Sequence, residues 1–223
     1  MSAKLVSIQV GRIQSFEEEA SKPWESGIAK LPVAGPVAVG KLKLSGDEQF
    51  DLANHGGVDK AVLAYSADHF DAWANESDLE GASDWKPVPG AFGENLTIAG
   101  QVEEDVCVGD VYQIGSCQLE VSQPRQPCWK LSRRWRIPKL AARVQKTGRS
   151  GWYYRVVIEG EIKAGDEIQL VSRPFPQWTI TKANAVMFAK PRNSADDLEL
   201  ANCPALSSAL AGHLESRANV TLE

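Results

Sequence analysis

Up to about residue 172, apolar positions alternate with polar ones in short runs that Gly, Pro and Asp interrupt, the pattern of half-buried strands joined by turns. The runs fall at residues 5–10, 37–44, 61–65, 95–98, 111–114, 118–122, 153–157 and 167–171. So many short strands predict a barrel or a folded-over sheet. Gly109-Asp110 and Gly165-Asp166 each stand just before a strand and read as tight turns. Residues 66–75 predict a helix: Ser66 can cap it, Asp68 favours the positive end of its dipole, and Phe70, Trp73 and Ala74 share a face. A second helix is expected from about residue 130, and a third over 137–147 with Pro138 in its first turn.

The pattern changes after Arg173-Pro174-Phe175-Pro176, a stiff segment that continues no ladder. Thr181 precedes a helical stretch at 182–189, Ser194 with Asp197 resembles a capping arrangement, and Leu206, Leu210 and Leu214 recur at helical spacing. Helices this short are marginal alone and must pack together or on the main domain. The expected architecture is α+β and strand-rich: a barrel-like domain over 1–172 and a small three-helix appendage over 177–223.

At 223 residues and 43% hydrophobic content, the chain can fill a substantial core. Its net charge of −5 argues against binding a nucleic-acid polymer but leaves room for a local basic cleft that holds a phosphate or another anion. Small-molecule partners are expected. The opening MSAKLVSIQVGRIQSF has no continuous apolar run, and no later segment reaches the length of a membrane span, so a cytoplasmic location without membrane association is expected. Cys107, Cys117, Cys128 and Cys203 form neither a CxxC pair nor zinc-site spacing and read as reduced thiols. A serine nucleophile elbow, a P-loop and a dinucleotide GxGxxG are all missing from the sequence.

Cys128 is the cysteine whose surroundings point to chemistry. It sits in SQPRQPCWKL, behind two prolines, with Arg125 three residues before and Lys130, Arg133, Arg134 and Arg136 after. If these cations converge, their field favours the thiolate, a nucleophile or soft metal ligand. The other reading is a small buried residue near a surface basic run. In Asn54-His55-Gly56-Gly57-Val58-Asp59-Lys60, paired glycines allow backbone N–H groups to approach an anion, or simply make a turn that polar residues cap. Gly90 to Leu96 places Glu94 and Asn95 before a strand, where the carboxyl can act as acid, base or orienter and the amide can edge a heterocycle. Trp152, Tyr153 and Tyr154 open another strand and serve as core or as stacking and phenol-donor groups. His69 and His213 lack metal-like partners at useful spacing and are expected to be structural.

Taken in order, HGGVDKAV, GAFGENL, SQPRQPC and GWYYRV followed by GEIKAGDEI resemble the MOSC family, named after the C-terminal domain of molybdenum cofactor sulfurases. The resemblance covers roughly residues 1–172, and a three-helix tail after such a domain is similar to the YiiM-like bacterial branch. It implies a MOSC-type β-barrel with peripheral helices and a cleft for the molybdenum cofactor, Mo-molybdopterin, with Cys128 as the protein's metal ligand. It further implies that Arg125 contacts the cofactor's phosphate or pterin, Asn95 contacts the pterin, and Tyr153 lies near the metal. His55, Gly56, Gly57 and Asp59 match the family's glycine loop and would join in cofactor binding. The implied activity is reduction of small N-hydroxylated substrates such as 6-hydroxylaminopurine, with Glu94 or a bound water supplying the proton. Cys107, Cys117 and Cys203 do not have ferredoxin-type spacing, so a separate electron-donor reductase is expected.

Other classes compete with this one. The thiolate can hold a persulfide in a cofactor or sulfur carrier, or act as the nucleophile of a thiol hydrolase with His55 as base. Trp178 and the tail leucines would suit a homodimer contact, and the stretch 76–89 either covers the site or lies away from it.

Overall fold

The structure, a computed structural model, describes residues 2–17, 22–52, 54–76 and 85–220. In chain order the strands are β1 (Ala3–Val10), β2 (Gln14–Phe16), β3 (Trp24–Ser26), β4 (Leu31–Pro32), β5 (Val37–Val39), β6 (Val62–Ser66), β7 (Leu96–Ala99), β8 (Val111–Ile114), β9 (Cys117–Pro124), β10 (Trp152–Ile158), β11 (Gly160–Ile162) and β12 (Glu167–Ser172). The helices are α1 (Phe70–Ala74), α2 (Trp129–Trp135), α3 (Leu140–Thr147), α4 (Ile180–Phe188), α5 (Ser194–Ala201) and α6 (Ser208–Val220). Strands β12, β8, β9, β10, β6, β7 and β1 follow one another in one sheet, and the pairing of β1 with β12 closes it into a barrel. Every pairing in the ring is antiparallel except that of β6 with β7. Closure leaves no open edge in the ring.

Alternation builds the interior. Leu5, Ile8, Leu96, Ile98, Tyr112, Ile114, Leu119, Val121, Trp152 and Tyr154 are all fully buried. In β1 the alternation is interrupted between Leu5 and Ser7, where the register against β7 shifts. Val6 is the extra residue and stays 45% exposed, while Ile8 returns to the core. The expected strand at 37–44 forms only as β5, with Leu44 bridging back to Val39. The short strands β2, β3, β4 and β11 lack a run long enough to show alternation.

Helices α4 to α6 pack on the barrel and share its apolar core. Ile180, Leu200 and Leu214 are fully buried, and each such side chain contributes about 1.5–3 kcal/mol, which offsets the poor intrinsic stability of short helices. Trp178, Leu206 and Leu210 are buried with them inside this chain, so the side chains expected to make a dimer contact are already covered. Buried Arg217 ties the group together by donating to Asp197 and to the carbonyls of Val186 and Met187. Three helix starts differ from expectation. Thr179, not Thr181, caps α4 by accepting from the Lys182 N–H, and Asn193, not Ser194, caps α5 by accepting from the Ala195 N–H. Asp197 is drawn instead to Arg217. Helix α3 begins at Leu140, after a left-handed Lys139, so Pro138 lies in the preceding turn.

A second apolar cluster joins Tyr65, Trp73, Phe92, Leu131, Leu140 and Val144, and so fixes the loop at 90–95 against α1, α2 and α3. Trp85 stands edge-on to Phe92 and Trp135 in this cluster. Of the stretch 76–89, residues 77–84 lie outside the described residues.

Candidate active site

Arg125, Cys128 and Tyr153 meet because β9 and β10 are neighbours and both open at the same end. After β9, the Arg125 N–H donates to the Gly151 carbonyl at 3.0 Å, which holds the outgoing chain against the start of β10. Gly151 permits this crowding: its φ is +74° and a Cβ there would lie 2.2 Å from the Ala64 carbonyl oxygen. Within β10, Trp152 and Tyr154 turn into the barrel while Tyr153 faces the cleft. The register shifts between Tyr153↔Gln123 and Tyr154↔Val121, leaving Ser122 as the extra residue in β9. Its hydroxyl is bonded to the carbonyls of Asp59 and Tyr153. Beyond Pro127, Cys128 is extended, at φ −98° and ψ 165°, and immediately precedes α2.

The opposite bank is formed by Gln49, Phe50, Asp51, His55 and Lys60, and the cleft between the two banks opens to solvent. Lys30, Phe50, Asp51, His55, Lys60, Asn95, Arg125, Gln126, Cys128, Lys130 and Tyr153 line it. Burial pushes the Cys128 thiol up, but the hydrogen bond and charge of His55, followed by the charge of Arg125, outweigh it and bring the thiol down to about 7. Burial holds the Tyr153 phenol above its ordinary value, so it keeps its proton. Burial also lowers the ammonium groups of Lys30, despite its ion pair with Asp47, and of Lys60.

Arg125 is 4% exposed; its Nη2 donates to the Phe92 carbonyl at 2.8 Å, but its buried Nη1 has no hydrogen-bond partner among the described residues. A buried guanidinium left half-satisfied in a cleft fits an anionic group such as phosphate. A thiolate beside it fits a soft metal. The residues present therefore suit a cofactor that carries both.

Of the side chains singled out from sequence, His55, Arg125, Cys128 and Tyr153 come together in the cleft. Asn95 lines it as well, but its amide is engaged: Oδ1 accepts from the Leu63 N–H, and Nδ2 donates to Asp47 at 2.9 Å and to the Gln9 carbonyl. Four residues do not reach it. Glu94 is fully buried outside the lining, accepting from the Gly90 and Phe92 N–H groups and the Thr97 hydroxyl, so it organises its loop. Asp59 pairs with Arg155 and accepts from the Ser208 N–H. Gly56 packs against Gln49 and Leu52, and Gly57, at φ +84°, faces open space. These two shape the turn that presents His55. The basic run after Cys128 diverges too: Arg134 donates to the Ile28 and Gly90 carbonyls, and Arg133 lies over the Trp129 ring. His69 bonds Glu103 and His213 is exposed, both away from the cleft.

The family model for the MOSC domain matches residues 51–169, a span that contains His55, Arg125, Cys128 and Tyr153. The chain belongs to the MOSC family. A second model, the YiiM-like 3-alpha helix domain, matches residues 178–217. Protein YiiM of Escherichia coli is 35% identical over 212 residues, 95% of this chain and 91% of that one. A protein named Reductase from Gibberella moniliformis is 38% identical over 203 residues, 91% of this chain but 35% of that protein. The crystal structure of YiiM from Geobacillus stearothermophilus superposes with a TM-score of 0.80 at 36% identity, covering 97% of this chain and 99% of that one.

Within this MOSC cleft, Lys30 and Gln126 went unrecognised in the sequence. Lys30 arrives through the β4–β1 pairing and its ion pair with Asp47, both long-range. Lys130 was visible as a cation near Cys128, but not its route, which donates to the Glu25 carbonyl at 2.9 Å.

Proposed function

We propose that this MOSC protein is a molybdenum-cofactor-dependent reductase of small N-hydroxylated compounds, 6-hydroxylaminopurine among them. The observation that carries the reading is the pairing of a thiol brought to about 7 with a buried arginine nitrogen that has no partner among the described residues. Cys128 would hold the molybdenum, Arg125 the cofactor's phosphate or pterin, and Lys30, Lys60 and Lys130 would offset anionic charge. The cofactor, when bound, supplies two-electron chemistry at the N–O bond. Among the described residues, no three His, Cys, Asp or Glu side chains cluster for a metal ion, and Cys128 offers a single soft ligand. The name Reductase on a fungal relative 38% identical to this chain agrees with the class.

The protein's own contribution is positioning and proton control. His55 stabilises the Cys128 thiolate through its hydrogen bond and charge. With Glu94 turned away, the Tyr153 hydroxyl and the His55 imidazole are the groups in the cleft suited to deliver a proton to a leaving hydroxyl. Electrons would come from a separate reductase. No described helix is long and apolar enough to cross a membrane, which is compatible with the cytoplasmic location we assign.

The test is to produce the protein in a host that makes the cofactor, then measure molybdenum, pterin and reduction of 6-hydroxylaminopurine with a supplied electron donor. Wild type should carry molybdenum and turn over, and Cys128→Ala should lose both. Retention of both by Cys128→Ala would overturn the reading. Cofactor bound without any turnover would favour a carrier.

A further inference from the structure

The wall of the cleft beside Cys128 carries an ordered set of rings whose purpose neither the barrel nor the thiol explains. Phe16 stacks on Trp24 at 4.2 Å between centroids, and Trp24 meets Trp129 edge-on at 5.5 Å. Arg133 lies over the Trp129 ring at 4.8 Å. Trp129 is thus held by neighbours on more than one side, yet it remains 51% exposed. It directly follows Cys128 in the chain and lines the outer part of the same cleft. Across the opening stand Phe50, 50% exposed, and Leu52, 68% exposed. A large indole fixed in place and left half bare costs apolar exposure that burial would recover. Placed at the mouth of a reactive cleft, it gains that contact when a flat ligand covers it.

We infer that Trp129 is a specificity-determining residue: its ring forms a stacking platform that selects planar heteroaromatic substrates over aliphatic ones for the chemistry at Cys128. This rests on the reductase reading for the reaction, but not for the binding. The surroundings fit a heterocycle better than a greasy chain. Gln126 lines the cleft with an amide that bonds no described residue, so it can meet ring nitrogens or exocyclic groups. The Lys130 ammonium lies between rings, 5.4 Å from the Phe50 centroid and 5.8 Å from that of Trp129, and favours an electron-rich π-system. Stacking of a nucleobase on an aromatic side chain corresponds to about 10- to 100-fold in affinity.

The experiment has two arms. In the first, kcat/KM is measured for 6-hydroxylaminopurine and for acetohydroxamic acid in wild type, Trp129→Leu and Trp129→Phe. Trp129→Leu should lower the purine-to-hydroxamate ratio by about 10- to 100-fold, mainly through KM for the purine, and Trp129→Phe should restore most of it. In the second, equilibrium dialysis follows 6-methylaminopurine, which has no N–O bond to reduce. Wild type should bind it, Trp129→Leu should bind at least tenfold more weakly, and Trp129→Phe should lie close to wild type. If dialysis shows this Trp129 dependence while no preparation reduces either compound, the platform stands and the reductase reading falls. If reduction proceeds but neither the ratio nor dialysis responds to Trp129→Leu, the platform is wrong and the reductase reading stands. A Trp129→Leu protein that keeps purine binding but changes from dimer to monomer in sedimentation would also overturn the inference, since the rim would then serve a second copy of the chain.

Discussion

Replacing His55 with Gln should separate the field that activates Cys128 from the fold that holds it. Burial alone would raise this thiol; it lies at about 7 because His55 and Arg125 outweigh burial, with His55 the larger influence. Without the imidazole, the midpoint should rise by roughly one to two units, toward or past the ~8.5 of a free thiol. At pH 7 the thiolate fraction then falls from about one half to between roughly 1% and 10%. Intrinsic nucleophilicity moves the other way, since a Brønsted coefficient of about 0.4–0.5 makes the more basic thiolate roughly 3- to 10-fold faster. The alkylation rate at pH 7 should therefore drop only about 2- to 8-fold, while the plateau rate at high pH increases. Opposite changes at the two ends cannot come from misfolding or simple occlusion. The assay is iodoacetamide labelling against pH on protein prepared without molybdenum, with mass spectrometry of the Cys128 peptide. Cys107, Cys117 and Cys203 are buried, with thiols pushed up by burial, and should label slowly. An unchanged midpoint in His55→Gln would refute the assignment of the field to this side chain.

The remaining expectations concern the loops that frame the cleft. Glu94→Ala leaves the Gly90 and Phe92 N–H groups and the Thr97 hydroxyl without their acceptor and should cost about 3 kcal/mol or more in urea unfolding. Burial raises the Glu94 carboxyl, so its contribution to stability is complete below the unfolded-state value and is lost as pH rises through the folded one. Glu94→Gln should remove that part of the decline in stability from acid toward neutral pH. The two glycines should differ: Gly151→Ala collides with the Ala64 carbonyl and should cost more than about 3 kcal/mol, whereas Gly57→Ala meets open space and carries only the ~1–3 kcal/mol of its backbone conformation. Thermal melts of the pair check this, and equal shifts would contradict the close approach at β6 and β10.

Periodicity made the barrel legible because its strands are long enough to alternate: β1, β9, β10 and β12 all fall where the pattern places them. Strands of two or three residues, such as β2 and β4, carry no period and appear only once their partners are in place. The site divides in the same way. Cys128 and Arg125 lie three residues apart, each directly after a proline, so their proximity is local and visible. Glu94 and Asp59 carry the same chemical labels as active-site acids, but their partners come from Thr97, Arg155 and α6, and sequence could not show that those partners consume them. The basic run was misleading for a geometric reason. A helix sends consecutive side chains in different directions, so Arg133 turns onto the Trp129 ring at the cleft mouth and Arg134 to backbone carbonyls, while His55, some seventy residues away, supplies the larger part of the field.

Several polar groups that frame the cleft are fully engaged, and Arg125 differs from them. Asp47 accepts from Lys30, from the Gly11 N–H and from Asn95; Asn95 uses both ends of its amide; Arg134 takes two carbonyls. Arg125 is buried like them, yet one of its nitrogens bonds no described residue. An orphaned buried donor costs about 1–3 kcal/mol, and nothing among the described residues recovers it. Arg125→Met should therefore change unfolding stability by no more than about 1 kcal/mol, because removing the orphan offsets the lost bond to the Phe92 carbonyl. Asn95→Ala, at similar burial, should cost about 3 kcal/mol, since it strands the Leu63 N–H and one oxygen of Asp47. Retention of molybdenum should follow the opposite order, falling steeply in Arg125→Met. If Arg125→Met instead destabilises as much as Asn95→Ala, the guanidinium belongs to the scaffold, and the anion it is thought to await has no place in the cleft.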